Sequence, residues 1–347
     1  MGHIRPLRES DIAAAARLHQ SVFEIADRDG LADRYKQYFV STFLSSNRRF
    51  ESLVHEEQDG RITGFLGVVT REFTWAGRAL QAALSTQFIV DPEARRKLVG
   101  IAMMREFFRG PQDFSFTDEA NAPSRKIWEM LGGSTLHLYS TNWSVPIRPV
   151  EFLLARKRLG IVSRAGGIVD ALIVGARHAH LKKHAPDLQS RPLDTRTVAE
   201  FMDQSGFVLK PTYNPDSLRS YLNGLNRGTA LVGSKGNIAG WYIYHLDRGG
   251  MGEVLQIGCH SDNAVNVLAH LFQQALRDHA LILYGRLEPH FSEALPEQFS
   301  VLSRRQYRVL VHSRDPKILD TMHSGKAFIS RLDGEWPVRF RPLDAQI

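Results

Sequence analysis

The sequence predicts a mixed α/β protein built from two domains. Its 347 residues exceed what one hydrophobic core usually organises, and the 43% hydrophobic content is ample for two globular cores. Residues 81–133 contain two successive strand–loop–helix units, and the order of predicted elements repeats after Pro192. We therefore expect two domains at 1–147 and 191–347, each with a mixed central sheet flanked by helices, joined by a helical linker at 148–190.

The N-terminal elements are predicted to be a strand, two helices and a hairpin. Residues 4–7 are strand-like, Ser10-Asp11 is a candidate helix cap, and apolar residues then recur at helical spacing up to position 22. A second helical stripe, which covers the sheet or lines an acceptor pocket, contains the aromatic residues Tyr35, Tyr38, Phe39 and Phe43. Strands at 50–55 and 62–70 follow, joined by the turn dipeptide Asp59-Gly60.

The first strand–loop–helix unit has the composition of an anion-binding loop. An apolar strand at 84–90 leads into a basic loop and then into a helix at 103–108, through Arg95, Arg96, Lys97, Leu98, Val99, Gly100, Ile101 and Ala102. Backbone N–H groups at a helix start lack intrahelical partners, so they can bind a phosphate whose charge the basic residues neutralise. The alternative is an ordinary turn with solvated arginines.

The second unit has clear helix boundaries. A short apolar strand at 113–117 leads to Asn121-Ala122-Pro123-Ser124, where proline in the first turn and serine nearby start a helix that Gly132-Gly133 ends.

Together the two units resemble the acetyl-CoA motifs of the GNAT N-acetyltransferase superfamily, over roughly residues 3–145. In that family the loop reads Arg or Gln, two residues, Gly, one residue, then Gly or Ala, and Lys97, Gly100 and Ala102 occupy those places here. Lysine at the first place departs from the pattern. The resemblance implies an N-acyltransferase that moves an acyl group, with acetyl the first expectation, from CoA to a primary amine of a small molecule, sugar or peptide. It implies no metal, and it assigns the co-substrate site to Phe88, Ile89, Val90, Arg95, Arg96, Lys97, Gly100, Ile101, Ala102, Asn121 and Ser124.

The catalytic residues are not identified by the pattern. The reaction needs a neutral amine, a base that takes its proton, and often an acid for the leaving thiolate. Members of the family frequently place a tyrosine where Trp128 stands, and the strand from Leu80 to Val90 contains no acidic residue. Asp118 and Glu119 are the nearest acidic residues, although capping the next helix is an equally good role for them.

The predicted linker carries most of the net charge. Between positions 148 and 191 there are nine basic and three acidic residues, in a chain whose formal net charge is +7. Such a cluster could contact an anionic partner such as a membrane surface, RNA or a polyanionic glycan, and salt-dependent co-sedimentation with anionic vesicles or RNA would test this. The alternative is a solvated linker helix. His178, His180 and His184 indicate surface histidines rather than a metal site.

The second half repeats the order of elements without the chemistry. Arg191-Pro192-Leu193 echoes Arg5-Pro6-Leu7, and we expect a strand at 254–258, a helix at 265–276, a strand at 280–284, a second helix near 293–299 and a closing strand and turn at 328–336. The turn between Gly258 and Val265 has no basic residue and no glycine, so the second domain is predicted to be a degenerate copy that does not bind CoA.

The single cysteine excludes an intramolecular disulfide framework, and the N-terminus has no signal-like pattern, so we expect a cytoplasmic protein. Cys259 and His260 are near neighbours, which rarely face one another as a nucleophile and base do. The sequence is also compatible with two other functions. The basic linker fits a Fem-type transferase, which uses aminoacyl-tRNA, and the missing tyrosine fits a noncatalytic CoA-binding sensor.

Overall fold

The computed structural model describes residues 2–44, 50–156, 188–222, 227–232, 237–295, 300–304 and 307–341. The chain divides into two compact units. The first comprises Met1–His137, Gln306–Ser324 and Asp333–Gln346, and the second comprises Leu138–Arg305, Gly325–Leu332 and Ile347. Each unit thus combines segments that are distant along the chain.

The elements are numbered in chain order. The strands are β1 (His3–Pro6), β2 (Leu53–Glu56), β3 (Ile62–Trp75), β4 (Arg78–Val90), β5 (Phe114–Ala120), β6 (Ser134–Thr135), β7 (Thr141–Pro146), β8 (Gln189–Pro192), β9 (Leu209–Pro211), β10 (Arg227–Val232), β11 (Ile238–Leu246), β12 (Met251–Cys259), β13 (Ile282–Arg286), β14 (Val301–Arg304) and β15 (Arg308–Ser313). The α-helices are α1 (Ile12–Val22), α2 (Leu31–Phe43), α3 (Pro92–Arg95), α4 (Val99–Phe108), α5 (Ala122–Met130), α6 (Pro149–Arg156), α7 (Thr195–Gln204), α8 (Pro215–Leu222), α9 (Ala264–Arg277) and α10 (Pro316–His323). Short 3-10 helices lie at Glu9–Asp11, Ser261–Asn263, Pro289–Ala294 and Trp336–Val338.

The sheet of the first unit has the order β1-β2-β3-β4-β5-β15-β6. Its longest pair is the β3–β4 hairpin, which closes at Ala76 and Gly77 with φ values of 49° and 84°. Positive φ at both central residues is the backbone that matches the twist of two antiparallel strands. From this turn the pairing continues as far as Gly64 and Val90.

Neighbouring residues of β3 point to opposite faces of this sheet, and their contacts show that helices cover both faces. Phe65 packs against Phe39 and Phe43 of α2. Leu66 belongs instead to the core cluster that contains Met103 of α4. The aromatic stripe of α2 is therefore chiefly core packing.

The sheet opens between β4 and β5. These two strands pair in parallel from Ala82–Phe114 to Leu84–Phe116, and residues 85–90 and 117–120 lie beyond that pairing. There β4 continues alongside β3, whereas β5 continues alongside β15. We call the space bounded by residues 85–90 and 117–120 the β4–β5 opening.

The sheet of the second unit has the order β14-β7-β13-β12-β11-β10-β8, with β12 and β13 parallel and the other pairs antiparallel. Two neighbouring residues of β11 show that this sheet also has a helix on each face. Trp241 packs against Phe201 of α7, while the Tyr242 ring lies beside His270 of α9. Two mixed sheets flanked by helices confirm the predicted fold class.

Several local expectations are corrected. No strand forms at 328–336; this stretch contains turns and the start of a 3-10 helix. Of the second helix expected near 293–299, positions 296–299 lie outside the described residues, and the described part before them contains the 3-10 helix Pro289–Ala294. Asp11 does not cap α1 through its side chain, because its carboxylate accepts hydrogen bonds from Arg5 and from the Arg8 amide.

Most of the predicted basic linker, including its three histidines, lies outside the described residues. Within the described part of the chain, no helix is long and apolar enough to cross a membrane. The domain boundaries at 147 and 190, the internal duplication and the cytoplasmic location stay predictions.

Candidate functional site

A β-bulge shapes the β4 side of the opening. The β3–β4 register shifts between Phe65 and Gly67, so that β4 carries one extra residue there, and Gln87 has a φ of 51°. A bulge bends its strand and increases the local twist, which carries residues 88–90 away from the line of β5. Because Gln87 is not a glycine, the left-handed backbone needs support from its surroundings.

His19 of α1 gives that support. Its Nε2 lies 2.7 Å from Gln87 Oε1, and its Nδ1 lies 2.9 Å from the Tyr35 hydroxyl. Desolvation lowers the pKa of His19 to about 4, although the Gln87 hydrogen bond acts in the opposite direction. The ring is therefore neutral at pH 7, with Nε2–H donating to Gln87 and Nδ1 accepting from Tyr35.

The predicted basic loop lies before the first turn of α4. The N-cap residue of the helix, Leu98, has a φ of 59°. The three basic residues before it, Arg95, Arg96 and Lys97, are exposed. Lys97 Nζ contacts Glu57 Oε1 at 2.8 Å, and this ion pair lowers the pKa of Glu57. Arg95 Nε donates to the Val90 carbonyl at 3.1 Å. Glu57 therefore competes with any anion for Lys97.

The first turn of α4 contains the other predicted loop residues. The amides of Ile101 and Ala102 both donate to the Leu98 carbonyl, at 3.0 and 3.1 Å. This leaves the amides of Val99 and Gly100 as the first-turn donors that a helix cannot bond internally.

Gly100 lies close to both β4 and α5. A Cβ atom there would lie 3.2 Å from Phe88 Cζ, 3.6 Å from Ile127 Cδ1 and 3.6 Å from Val90 Cγ2. The structure thus brings three of the predicted co-substrate residues, Phe88, Val90 and Gly100, close together. Ile89 is buried beside them in β4 and pairs with Phe65 across the β3–β4 ladder.

Helix α5 borders the β5 side. Asn121 is its N-cap and accepts a hydrogen bond from the Ser124 amide at 3.0 Å, so these two predicted residues meet in a helix cap. Trp128 is buried and its ring lies 4.9 Å from that of Phe108. An indole buried in this way cannot supply the proton that tyrosine would.

Asp118 and Glu119 both contact the C-terminal segment 333–341 of the first unit. Asp118 Oδ1 accepts a hydrogen bond from the Glu335 amide at 2.7 Å. A Cβ atom on Gly334 would fall 2.3 Å from the Asp118 carboxyl carbon, so only glycine fits there. Glu119 forms an ion pair with Arg339. Both acidic residues therefore hold this segment in place.

The segment brings Glu335, which the sequence did not indicate, into the opening. Its Oε1 accepts hydrogen bonds from Thr117 Oγ1 at 2.5 Å and from the Glu119 amide at 3.1 Å. Desolvation, followed by the charges of Glu119 and Asp118, raises the pKa of Glu335 to about 8, against hydrogen bonds from Thr117 and from Thr86 of β4. The carboxyl group is thus desolvated, although the residue as a whole is partly exposed. Glu335 thus lies between the two strands that part.

The α2 side of this carboxylate contains Tyr38. Burial raises the pKa of the Tyr38 hydroxyl, and the charge of Glu335 adds to that effect. The hydroxyl donates to the Val338 carbonyl at 2.8 Å, and the Tyr38 ring lies 5.1 Å from that of Phe340. The segment 333–341 is therefore fixed by α2 as well as by β5.

Comparison with known proteins supports one family. The model of the acetyltransferase (GNAT) domain matches residues 3–113. A search by sequence among curated proteins finds no match.

Solved structures of similar fold come from several bacteria. A GCN5-related N-acetyltransferase from Kribbella flavida has a TM-score of 0.57 at 14% identity, over 94% of this chain and 73% of that one. One from Anabaena variabilis has a TM-score of 0.59 at 13% identity, over 91% and 74% of the two chains. Eis1 from Mycobacterium abscessus has a TM-score of 0.53 at 11% identity, over 92% and 76%. Residues 3–113 thus match the acetyltransferase (GNAT) domain, and the solved structures show that the chain shares the fold of GCN5-related N-acetyltransferases.

Proposed function

We propose that the protein transfers an acyl group, most simply acetyl, from CoA to a primary amine of a small molecule, sugar or peptide. The observation that carries this proposal is the β4–β5 opening, bordered by the first turn of α4 and containing a carboxylate. An anion can lie at the start of α4 while an extended chain runs along residues 88–90.

The residues around the opening fit the chemistry of an acyl-CoA. The amides of Val99 and Gly100, with the exposed Arg95, Arg96 and Lys97, suit a pyrophosphate. The partly buried side chains of Phe88 and Ile127, which lie next to Gly100, supply an apolar wall beside the backbone of β4. Asn121 and Ser124 lie at the start of α5 on the other side.

Two alternative functions make different demands on the same site. An aminoacyl-tRNA-dependent transferase would need no CoA, whereas the α4 turn offers a compact anion site. A CoA-binding sensor would need no proton acceptor, yet Glu335 is held in the opening by hydrogen bonds from β5. Both observations favour the acyltransferase.

The test has two steps. Calorimetry with CoA and acetyl-CoA should show binding, and a panel of primary amines incubated with acetyl-CoA should then contain at least one product with the mass shift of an acetyl group. Failure of the chain to bind either nucleotide would contradict the proposal. Binding without any acyl transfer across the panel would favour the sensor.

A contact between the basic segment at 148–191 and an anionic surface also remains a proposal. Its support is the local excess of basic residues in the sequence. In the described part, Arg148 contacts Glu151 at 3.2 Å.

A further inference from the structure

The opening contains one carboxylate whose surroundings suit proton transfer better than those of its neighbours. Asp118 is buried and bonded to the Glu335 amide, and Glu119 is paired with Arg339, so both have structural partners. Glu335 differs because its Oε1 is fixed by two donors from β5 while the residue as a whole remains partly exposed. A carboxylate anchored in the opening, on a residue that is not fully buried, can reach a reacting group there.

The geometry points to Glu335 as the catalytic base that accepts the proton of the attacking amine, an assignment that rests on the proposed function. The amine nitrogen forms a bond to the thioester carbonyl carbon, and the carbon–sulfur bond breaks with its electron pair on sulfur. The proton lost by nitrogen passes to the Glu335 carboxylate. A proton then passes from Glu335 to the sulfur, directly or through water, so the products are an amide and the CoA thiol.

The charged and titratable groups around Glu335 determine the pH range in which its carboxylate can accept a proton. Asp118 and Glu119 face it from β5, Tyr38 faces it from α2, and Arg339 is paired with Glu119. On its own segment, the Asp333 carbonyl accepts a hydrogen bond from the buried Arg71 of β3. Because the pKa of Glu335 is raised to about 8, the fraction of active base increases as the pH rises through that value.

The first experiment compares wild type with Glu335→Gln. Glutamine keeps an oxygen that can accept the bonds from Thr117 and the Glu119 amide, so the fold and CoA binding should persist. We expect kcat to fall by about a hundredfold or more and the rise in kcat near pH 8 to disappear. Glu106→Gln, which changes an exposed carboxylate on α4, is the matched control and should retain the wild-type rate and pH profile.

The second experiment shifts the pH profile without removing the base. Thr117→Val deletes a hydrogen bond that lowers the pKa of Glu335, so the midpoint should move to higher pH. Glu119→Gln deletes a negative charge that raises the pKa of Glu335, so the midpoint of the pH profile should move to lower pH. A residue with only a structural role would not produce opposite shifts.

The outcomes separate this assignment from the function on which it rests. A wild type that neither binds CoA nor transfers an acyl group overturns the proposed function, and the assignment with it. A wild type that is active while Glu335→Gln keeps a similar kcat and the same pH profile overturns only the assignment. Calorimetry of Glu335→Gln with CoA verifies that any loss of rate does not come from loss of binding.

Discussion

Desolvation favours the uncharged forms of both Glu335 and His19 in the folded protein. Desolvation raises the pKa of Glu335 from 4.5 to about 8 and lowers the pKa of His19 from 6.5 to about 4. Glu335 therefore costs folding stability increasingly as the pH rises from 4.5 towards 8. His19 costs stability as the pH falls from 6.5 towards 4. A functional carboxylate kept neutral in this way makes the fold less stable than it could be.

Replacing Glu335 by glutamine should remove the loss of folding stability that the carboxyl group causes as the pH rises. We expect the free energy of unfolding of Glu335→Gln to exceed that of wild type by on the order of 2–4 kcal/mol at about pH 8, and to differ little at about pH 4. Denaturant unfolding across this range measures the difference, with Glu106→Gln as the control. Parallel stability curves for wild type and Glu335→Gln would show that the carboxylate is not perturbed.

The sequence could not reveal this residue because its surroundings are assembled from distant parts of the chain. Glu335 is separated from the Glu119 amide that it binds by 216 positions. The bulge at Gln87 depends similarly on His19, 68 positions away. By contrast, Pro123 and Gly132 carry their own local signals of helix initiation and termination, and the helix that they predict is confirmed as α5.

At the scale of elements, the sequence predicted the strand–helix order around the site but not the opening between the strands. Apolar runs and turn residues indicated β4, α4, β5 and α5, because such signals depend on neighbours along the chain. Where β4 stops pairing with β5 depends on the bulge and on the segment 333–341, neither of which has a periodic pattern. The predicted closing strand at 328–336 was wrong for the same reason.

The position of α4 against β4 should determine the affinity for CoA. Gly100→Val places new carbon atoms against Phe88, where even a Cβ would lie 3.2 Å from Cζ, so either the Phe88 ring or the first turn of α4 must shift. Several charge-assisted hydrogen bonds of roughly 1.5–3 kcal/mol each would depend on that turn, so binding should weaken by about tenfold or more. Gly206→Val is the control, because a Cβ there meets no atom within 4 Å. Calorimetry showing equal affinity for Gly100→Val and wild type would exclude the α4 turn as the pyrophosphate site.

At the scale of the whole molecule, the second unit also has a parallel strand pair, β12 and β13, that stops pairing part of the way along. The space beyond that pairing is filled by a segment of the same unit. The β12–β13 pairing ends at Val254 and Gly285. Beyond it, the Leu332 amide donates to the Leu255 carbonyl at 3.2 Å, and Gln256 Nε2 donates to Ser330 Oγ at 3.0 Å. The ring of Phe328, from the same closing segment Gly325–Leu332, lies 5.2 Å from that of His290.

The turn before α9 adds a second reason why this unit should not bind CoA. It contains Cys259, His260, Ser261, Asp262 and Asn263, with no lysine, arginine or glycine. Cys259 is buried, and desolvation raises the pKa of its thiol to about 12, so it does not act as a nucleophile at neutral pH. The His260 ring packs 4.6 Å from that of Phe201.

The full chain should therefore bind CoA with a stoichiometry of one. Titration of wild type with CoA by calorimetry gives the number of sites. Gly100→Val then shows where the site lies, because all of the CoA binding should weaken in this variant if the single site is at α4. Among the described residues of the second unit, the turn before α9 is not basic and Gly325–Leu332 lies beside β12, so no further site should remain in Gly100→Val. Two equivalent sites in wild type, or one site of wild-type affinity in Gly100→Val, would place CoA in the second unit and contradict the filling of its strand opening by Gly325–Leu332.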